Sequence, residues 1–282
     1  MRVSSRAIAD YDLSGKIVLI TGATDGLGQA VAVDAASGGA TVLVHGRSPE
    51  RIKATLEHVG SASTGEPPRA YQADLASLAE VRGLARAIAD GEQRLDVLVN
   101  NAGIGGNTPG GGERQESEDG HELRFAVNYL AGYLLTRELI PLLERSAPAR
   151  IVNVSSAGQM PLDFGDVMLQ HDYSGTRAYC QSKLAQILFT FDLAGELAGS
   201  GVTATCLHPS TYMPTKMVED PISTLEQGVE ATMRLIADTA LEGVTGRYFN
   251  VLEAARPDPQ AQDPDARRRL RELSELLAPA GG

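Results

Sequence analysis

Short runs of aliphatic and β-branched residues recur along the chain, separated by longer stretches in which apolar positions return every three or four residues. Those two periods predict strands alternating with amphipathic helices. Strands are expected at Lys16–Thr21, Ala40–His45, Arg69–Ala73, Leu95–Asn100, Arg150–Ser155, Val202–Leu207 and Gly246–Val251, with helices between them. Ile17-Val18-Leu19-Ile20 and Val97-Leu98-Val99 are apolar at every position, as a strand covered on both faces requires. The pattern implies an α/β fold, a doubly wound parallel sheet of about seven strands with helices on both faces.

Two stretches break the alternation. Residues 104–120 are Gly-rich and then acidic, which suits either a mobile loop over a site or a plain surface insertion, and the surface reading is preferred. From Ala255 onward Pro257, Pro259 and Pro264 precede a charged helix expected from about Ala266 to Leu277. Its Leu270, Leu273 and Leu277 suit either a cap on the core or a contact with another subunit. Neither stretch reads as a linker, so residues 1–282 are expected to form one domain.

Composition narrows the partners. A net charge of −11 disfavours general binding to nucleic acid or to anionic membranes, both of which need basic surface. Cys180 and Cys206 are too few for a disulfide framework or a zinc site, and no apolar run has membrane-spanning length. These features suit a soluble cytoplasmic protein acting on small molecules.

Candidate chemistry lies at the expected strand ends. After the first strand comes Thr21-Gly22-Ala23-Thr24-Asp25-Gly26-Leu27-Gly28, leading into a helix. Glycines there let main-chain amides at a helix N-terminus approach a pyrophosphate. At the second strand end Arg47 and Ser48 replace the acidic residue expected for the ribose hydroxyls of NAD, which favours the 2′-phosphate of NADP(H), with NAD(H) as the alternative. Asp74, next to Leu75, suits the adenine amino group or a helix cap, and Asn100-Asn101-Ala102-Gly103 suits a nucleotide or the backbone of neighbouring strands.

Further on, Tyr179 and Lys183 are four apart and share one helical face, a phenol beside an ammonium. A neighbouring positive charge is what a tyrosine needs to exchange its proton near neutral pH.

The run at 21–28, Asn100 to Gly103, the Ser155-Ser156 pair and Tyr179 to Lys183 together resemble the short-chain dehydrogenase/reductase family over about residues 14 to 250. Glu118 to Glu122 and the long interval from Ser156 to Tyr179 resemble its retinol dehydrogenase-like and related bacterial subgroup. The resemblance implies a Rossmann-like domain, a nicotinamide cofactor and interconversion of a carbonyl and an alcohol. It places the catalytic tetrad on Asn128, Ser156, Tyr179 and Lys183, with the second serine of the pair preferred. Asn128 falls mid-helix, where asparagine is a poor former. The family's usual Pro-Gly after the sixth strand is here Pro209-Ser210, followed by Thr211, and Thr215 suits either a cofactor contact or a helix start.

In the implied reaction Tyr179 is the general acid or base, Ser156 bonds the same oxygen, Lys183 lowers the tyrosine pKa and Asn128 positions a water. The pocket would draw on loops near 104–120, 157–176 and 210–225, where Met213, Met217 and Ile222 suit either an apolar wall for a lipophilic substrate or the core. His208 is read as structural. The alternatives are an NAD-dependent alcohol dehydrogenase and a non-catalytic NADP(H)-binding regulator. Family members commonly pair through helices, here near 115–145 and 177–199, so a homodimer or homotetramer is expected by resemblance.

Overall fold

The computed structural model describes residues 11–108, 112–215 and 220–279. Seven strands are parallel: β1 (Ile17–Ile20), β2 (Thr41–Gly46), β3 (Arg69–Gln72), β4 (Val97–Asn100), β5 (Ala149–Val154), β6 (Val202–His208) and β7 (Arg247–Asn250). An eighth, β8 (Glu253–Ala255), pairs antiparallel with β7. The order is β3-β2-β1-β4-β5-β6-β7-β8, so the direction of winding reverses between β1 and β4. Ligands of such sheets bind at the carboxyl ends of the strands beside that reversal. The doubly wound sheet is as expected, and the antiparallel edge strand is an addition to it.

Each strand feeds two cores because its side chains alternate. Leu19, Leu43, Leu98 and Ile151 face one side; Val18, Ile20, Val42, Val44, Val97, Val99, Val152 and Val154 face the other. The second face is covered by α1 (Gly26–Ser37) and α7 (Leu225–Ala237), with α2 (Pro49–Ala62) beside β2 and β3. The first is covered by α3 (Leu78–Gly91), α5 (Ala131–Arg145) and α6 (Gly175–Glu196). Ahead of α5 the chain passes through α4 (Leu123–Phe125) and a π-helical turn, Ala126–Leu130. That helix starts later than the expected 115, because residues 116–122 close a turn through a Glu116–Glu122 bridge.

The tail helix α8 (Pro264–Leu277) caps the core. Leu270 is buried in the first cluster, Ser274 Oγ lies 2.6 Å from Tyr129 Oη, and Arg271 Nε lies 3.5 Å from Asp192. The helix covers aromatic side chains of Tyr129, Tyr133 and Phe189, which pack edge-on or tilted with centroids 5.2–6.3 Å apart. Ala185, Leu188, Phe189, Phe191 and Leu193 on α6 also belong to this core. Among the described residues no helix is long and apolar enough to cross a membrane.

Candidate active site

The turn after β1 fits a phosphate. Gly22 and Gly26 have φ of +66° and +48°, a region in which L side chains are strained. A Cβ on Gly28 would lie 2.3 Å from Gly22 O and 2.4 Å from Asn101 Nδ2, so only glycine fits there. Asp25 caps α1 by accepting from Gly26 N at 2.9 Å. Leu27 is buried beneath the turn and Thr24 packs over Gly46, where a Cβ would meet its Cγ2 at 2.5 Å. This narrow cradle at a helix N-terminus is what a pyrophosphate needs. Gly28→Ala should cost about 1–3 kcal/mol through overpacking and weaken nucleotide binding, both read from thermal unfolding with and without NADPH.

Neighbouring side chains brace the turn. His45 Nδ1 accepts from Gly22 N at 3.2 Å, and Nε2 lies 3.2 Å from Ala73 O, an arrangement that needs the neutral ring. Burial pushes the His45 pKa down to about 4, which holds that form. Thr21 Oγ1 accepts from Asn101 N and Ala102 N at 2.9 and 3.0 Å, while Asn101 Nδ2 donates to Thr21 O at 2.8 Å. Of the two uses open to Asn101, the described side chain takes the backbone one. His45, inside a run read as strand, carried no sequence signal for this role.

At the end of β2, Arg47 is largely exposed, with Nη1 3.9 Å from Asp74 Oδ2. Ser48 caps α2, accepting from Arg51 N at 3.3 Å and donating to Glu50 Oε2 at 2.8 Å, so its hydroxyl is engaged. Asp74 Oδ1 accepts from Ala76 N at 2.9 Å, and the buried Leu75 follows it. A second guanidinium stands here that the sequence reading missed. Arg51 pairs with Asp25 and donates to Thr24 O at 3.2 Å, which ties α2 to the glycine turn. A basic residue one turn into an amphipathic helix reads as ordinary surface, so nothing local marked it.

Four further groups meet where β4, β5, the π-helical turn and α6 converge. Asn128, on the π-helical turn, accepts from Ile104 N at 2.8 Å and donates to Ile104 O and Ser182 Oγ at 3.1 and 2.9 Å. Such turns interrupt α-helices frequently at functional sites. A Cβ on Gly103 would stand 3.3 Å from Asn128 Oδ1 and 3.5 Å from Lys183 Nζ, so both side chains face the same glycine. Ser156, after β5, is hydrogen-bonded to Tyr179 and accepts from Gly158 N at 3.0 Å. Ser155 instead donates to Lys183 O at 2.7 Å, a structural bond. The second serine therefore sits on the tyrosine and the first on the helix.

The electrostatics differ from the expectation. Burial raises the Tyr179 pKa, and the bond with Ser156 pulls it partly back. Lys183 Nζ lies 5.9 Å from the centroid of the Tyr179 ring and donates instead to Val154 O and Gln186 Oε1, at 2.9 and 3.0 Å. Burial lowers its own pKa to about 7. In the nucleotide-free fold the direction of the Tyr179 shift is therefore set by burial and by Ser156.

On the substrate side the stretch 104–120 has an exposed surface at 107–108, 113, 116 and 118–120, as preferred, but its first residues are pinned. Gly105 O and Gly106 O accept from the wholly buried Arg124, at 2.9 and 2.8 Å, and Ser117 and Glu122 are buried. Residues 109–111 lie outside the described residues. After β6, Pro209 is buried and His208 is structural, its Nε2 2.9 Å from Thr211 Oγ1. Ser210 lies within hydrogen-bonding reach of Gln227, 3.4 Å away, and positive φ falls on Tyr212 instead, at +49°. Thr215 overlies the glycine turn, its Cγ2 3.3 Å from where a Cβ on Gly26 would be. Met213 packs on Leu27 and α7, Ile222 is exposed, and Met217 lies outside the described residues.

Comparison with known proteins bears on this arrangement. Residues 16–225 match the family described as short chain dehydrogenase. The chain belongs to the short-chain dehydrogenase family. It is 36% identical to retinol dehydrogenase 13 of Mus musculus, over 92% of this chain and 82% of that protein. Against retinol dehydrogenase 14 of Homo sapiens the figures are 34%, 94% and 87%. A solved structure of an uncharacterized protein from Mycobacterium paratuberculosis superimposes with a TM-score of 0.78 at 28% identity, covering 97% of each chain. The RhlG/NADP active-site complex of Pseudomonas aeruginosa gives 0.69 at 27%, covering 85% of this chain and 96% of that one. Membership makes the protein an oxidoreductase acting on CH–OH or C=O groups with NAD(P).

Proposed function

We propose that the protein is an NADP(H)-dependent oxidoreductase that interconverts a lipophilic ketone or aldehyde and its alcohol. The observation that carries this reading is the convergence of Tyr179 with Ser156 on one side and of Lys183 with Asn128 across Gly103 on the other. Gly22, Gly26 and Gly28 with the amides opening α1 would hold the pyrophosphate; Ala102 and Gly103 would lie along the nucleotide, with Asp74 at the adenine. Pro209 and Thr211 would lie toward its nicotinamide end, and Thr215, over the glycine turn, toward the pyrophosphate. The bound nicotinamide would supply or accept the hydride.

The chain's own groups handle the proton. Tyr179 donates to the carbonyl oxygen in reduction, Ser156 holds that oxygen in place, and burial keeps the phenol protonated at neutral pH. Lys183 would hold the nicotinamide ribose hydroxyls and, when charged, would favour the phenolate, and Asn128 holds Ile104 and thereby the wall beside Lys183. Relatives named retinol dehydrogenase, at 31–36% identity, favour a long apolar alcohol or aldehyde. The reading includes a cytoplasmic location and self-association, tested by fractionation and by sedimentation.

The preference for NADP(H) rests on Arg47 and Arg51, two guanidinium groups that would flank the ribose end, and one similar structure is named as an NADP complex. A 2′-phosphate would draw both. The NAD(H) alternative lacks an acidic residue at the end of β2 to meet the ribose hydroxyls, where Arg47 and Ser48 stand instead. Titration with NADPH and NADH, followed by nucleotide fluorescence, decides between them. Arg47→Ala is expected to weaken NADPH by about tenfold or more while leaving NADH within about twofold. Equal weakening of both would defeat the assignment. A panel of apolar ketones and aldehydes then tests turnover, and binding without turnover on any of them would count against the carbonyl reading.

A further inference from the structure

A guanidinium withdrawn from water is costly unless its donors and its charge are both met. Arg124 is 0% exposed, and its donors are spread over backbone and one side chain of the surrounding loops. Nε donates to Gly105 O at 2.9 Å and Nη2 to Gly106 O at 2.8 Å; Nη1 reaches Glu113 O at 3.4 Å and Tyr173 Oη at 2.6 Å. Its counter-charge is Glu122, 1% exposed, with Oε1 3.6 Å from Nη1. Glu122 Oε2 accepts from Phe125 N at 2.7 Å and so starts the helix that carries Arg124.

Arg124 precedes Asn128 by four residues, so both side chains project toward the same loop. Asn128 grips Ile104 by both backbone groups, and Arg124 grips the next two carbonyls. Ile104–Gly106 is therefore laid against this helix along its whole length, with Gly103 beside Lys183. Tyr173 ties in the opposite wall. Its hydroxyl accepts from Arg124 and donates to Glu122 Oε1 at 3.0 Å, and Tyr173 immediately precedes Ser174, the N-cap of α6, at the end of the connection from β5. There the two walls touch: a Cβ on Gly175 would fall 1.8 Å from Gly106 O.

We propose that Arg124, Glu122 and Tyr173 form a buried clamp that joins the loop after β4 to the segment before α6 and sets how a substrate meets Tyr179. These are positioning residues that act through the loop they hold, and the proposal rests on the carbonyl–alcohol reading for its kinetic consequence. The clamp acts on substrate geometry and leaves the nucleotide cradle at β1 and α1 alone. Misplacing a reacting group by about 1 Å from such a distance can cost on the order of 10²-fold in rate.

The test uses the full chain carrying Tyr173→Phe, which removes one hydroxyl and strands no charge, and Arg124→Lys, which keeps the charge but loses the forked geometry. Hydrogen exchange is followed at 103–108 and 169–178, with NADPH binding and steady-state kinetics alongside. In Tyr173→Phe both segments should exchange faster together, by about tenfold, with NADPH affinity within about twofold and KM raised about tenfold or more against a smaller change in kcat. Arg124→Lys should show the same pattern more strongly; if it does not fold, Tyr173→Phe decides alone. Faster exchange in only one segment, or in neither, overturns the clamp. So does an unchanged KM in an enzyme that turns over. Absence of turnover in the unmodified protein would sink the functional reading instead, with exchange still deciding the clamp.

Discussion

Tyr179→Phe is expected to cut carbonyl reduction by about 10²–10⁴-fold, the usual contribution of a positioned general acid, while the melting temperature and NADPH affinity stay close to those of the unmodified protein. The variant removes one hydroxyl, bonded to Ser156, and leaves the ring in place on α6. The direction of the pKa shift adds a second check. Because burial raises the phenol above its ordinary value of 10.0, the proton needed for reduction is present throughout the neutral range. Reduction should therefore show no loss from this group until strongly alkaline pH, whereas alcohol oxidation, which needs the phenolate, should keep rising with pH through 9. A Tyr179→Phe enzyme retaining most of its turnover would remove Tyr179 from the chemistry.

What the sequence disclosed about this site depended on the range of the interaction. The sheet was legible because Ile17 to Ile20 and Val97 to Val99 are apolar throughout, and a strand buried on both faces needs little else. The edge strand β8 was not, since Glu253-Ala254-Ala255 is short, partly exposed and paired only through a turn at Val251, with φ of +54°. The Tyr179 and Lys183 pairing is local, fixed by four residues of helix. The bond between Ser156 and Tyr179 is tertiary, although motif order alone brought the two residues together as candidates.

What was not legible shares one cause. Spacing places Lys183 beside Tyr179, but how far burial shifts its pKa is a property of the folded chain. Arg124 carried no sequence signal and Glu122 entered only through a motif, yet they are 0% and 1% exposed and hold the loop after β4. Arg51 was passed over because it is one turn away from the strand end that drew attention to Arg47. Helical periodicity tells which face is apolar; it does not tell which polar residues the next segment will bury.

The second large effect follows from that burial. Lys183→Met is expected to abolish turnover by about two orders of magnitude or more and yet to stabilise the nucleotide-free protein below pH 7. Lys183 is 5% exposed, and its partners, Val154 O and Gln186 Oε1, are neutral oxygens. Its pKa falls from 10.5 in the ordinary state to about 7 in the fold. At about 1.36 kcal/mol per pH unit, a protonated Lys183 costs the fold on the order of 5 kcal/mol as an upper bound. Methionine removes that cost but leaves two acceptors unpaired, which takes back about 1–3 kcal/mol. The sign with pH follows from proton counting. Between about 7 and 10.5 the unfolded chain binds the proton that the folded chain has lost, so the stability of the unmodified protein rises through that window. Below it both states are protonated and the full cost stands; above it both are neutral and the cost is gone. The advantage of Lys183→Met should accordingly be greatest below pH 7, shrink as pH rises, and disappear or reverse near 10, read from denaturant midpoints at each pH. Saturating NADPH should narrow the gap from the other side, because a ligand that binds only the native state adds more stability to the protein that binds it better. A Lys183→Met variant less stable than the unmodified protein below pH 7 would mean that the ammonium is compensated in the fold, and the view of Lys183 as a strained, function-directed group would be wrong.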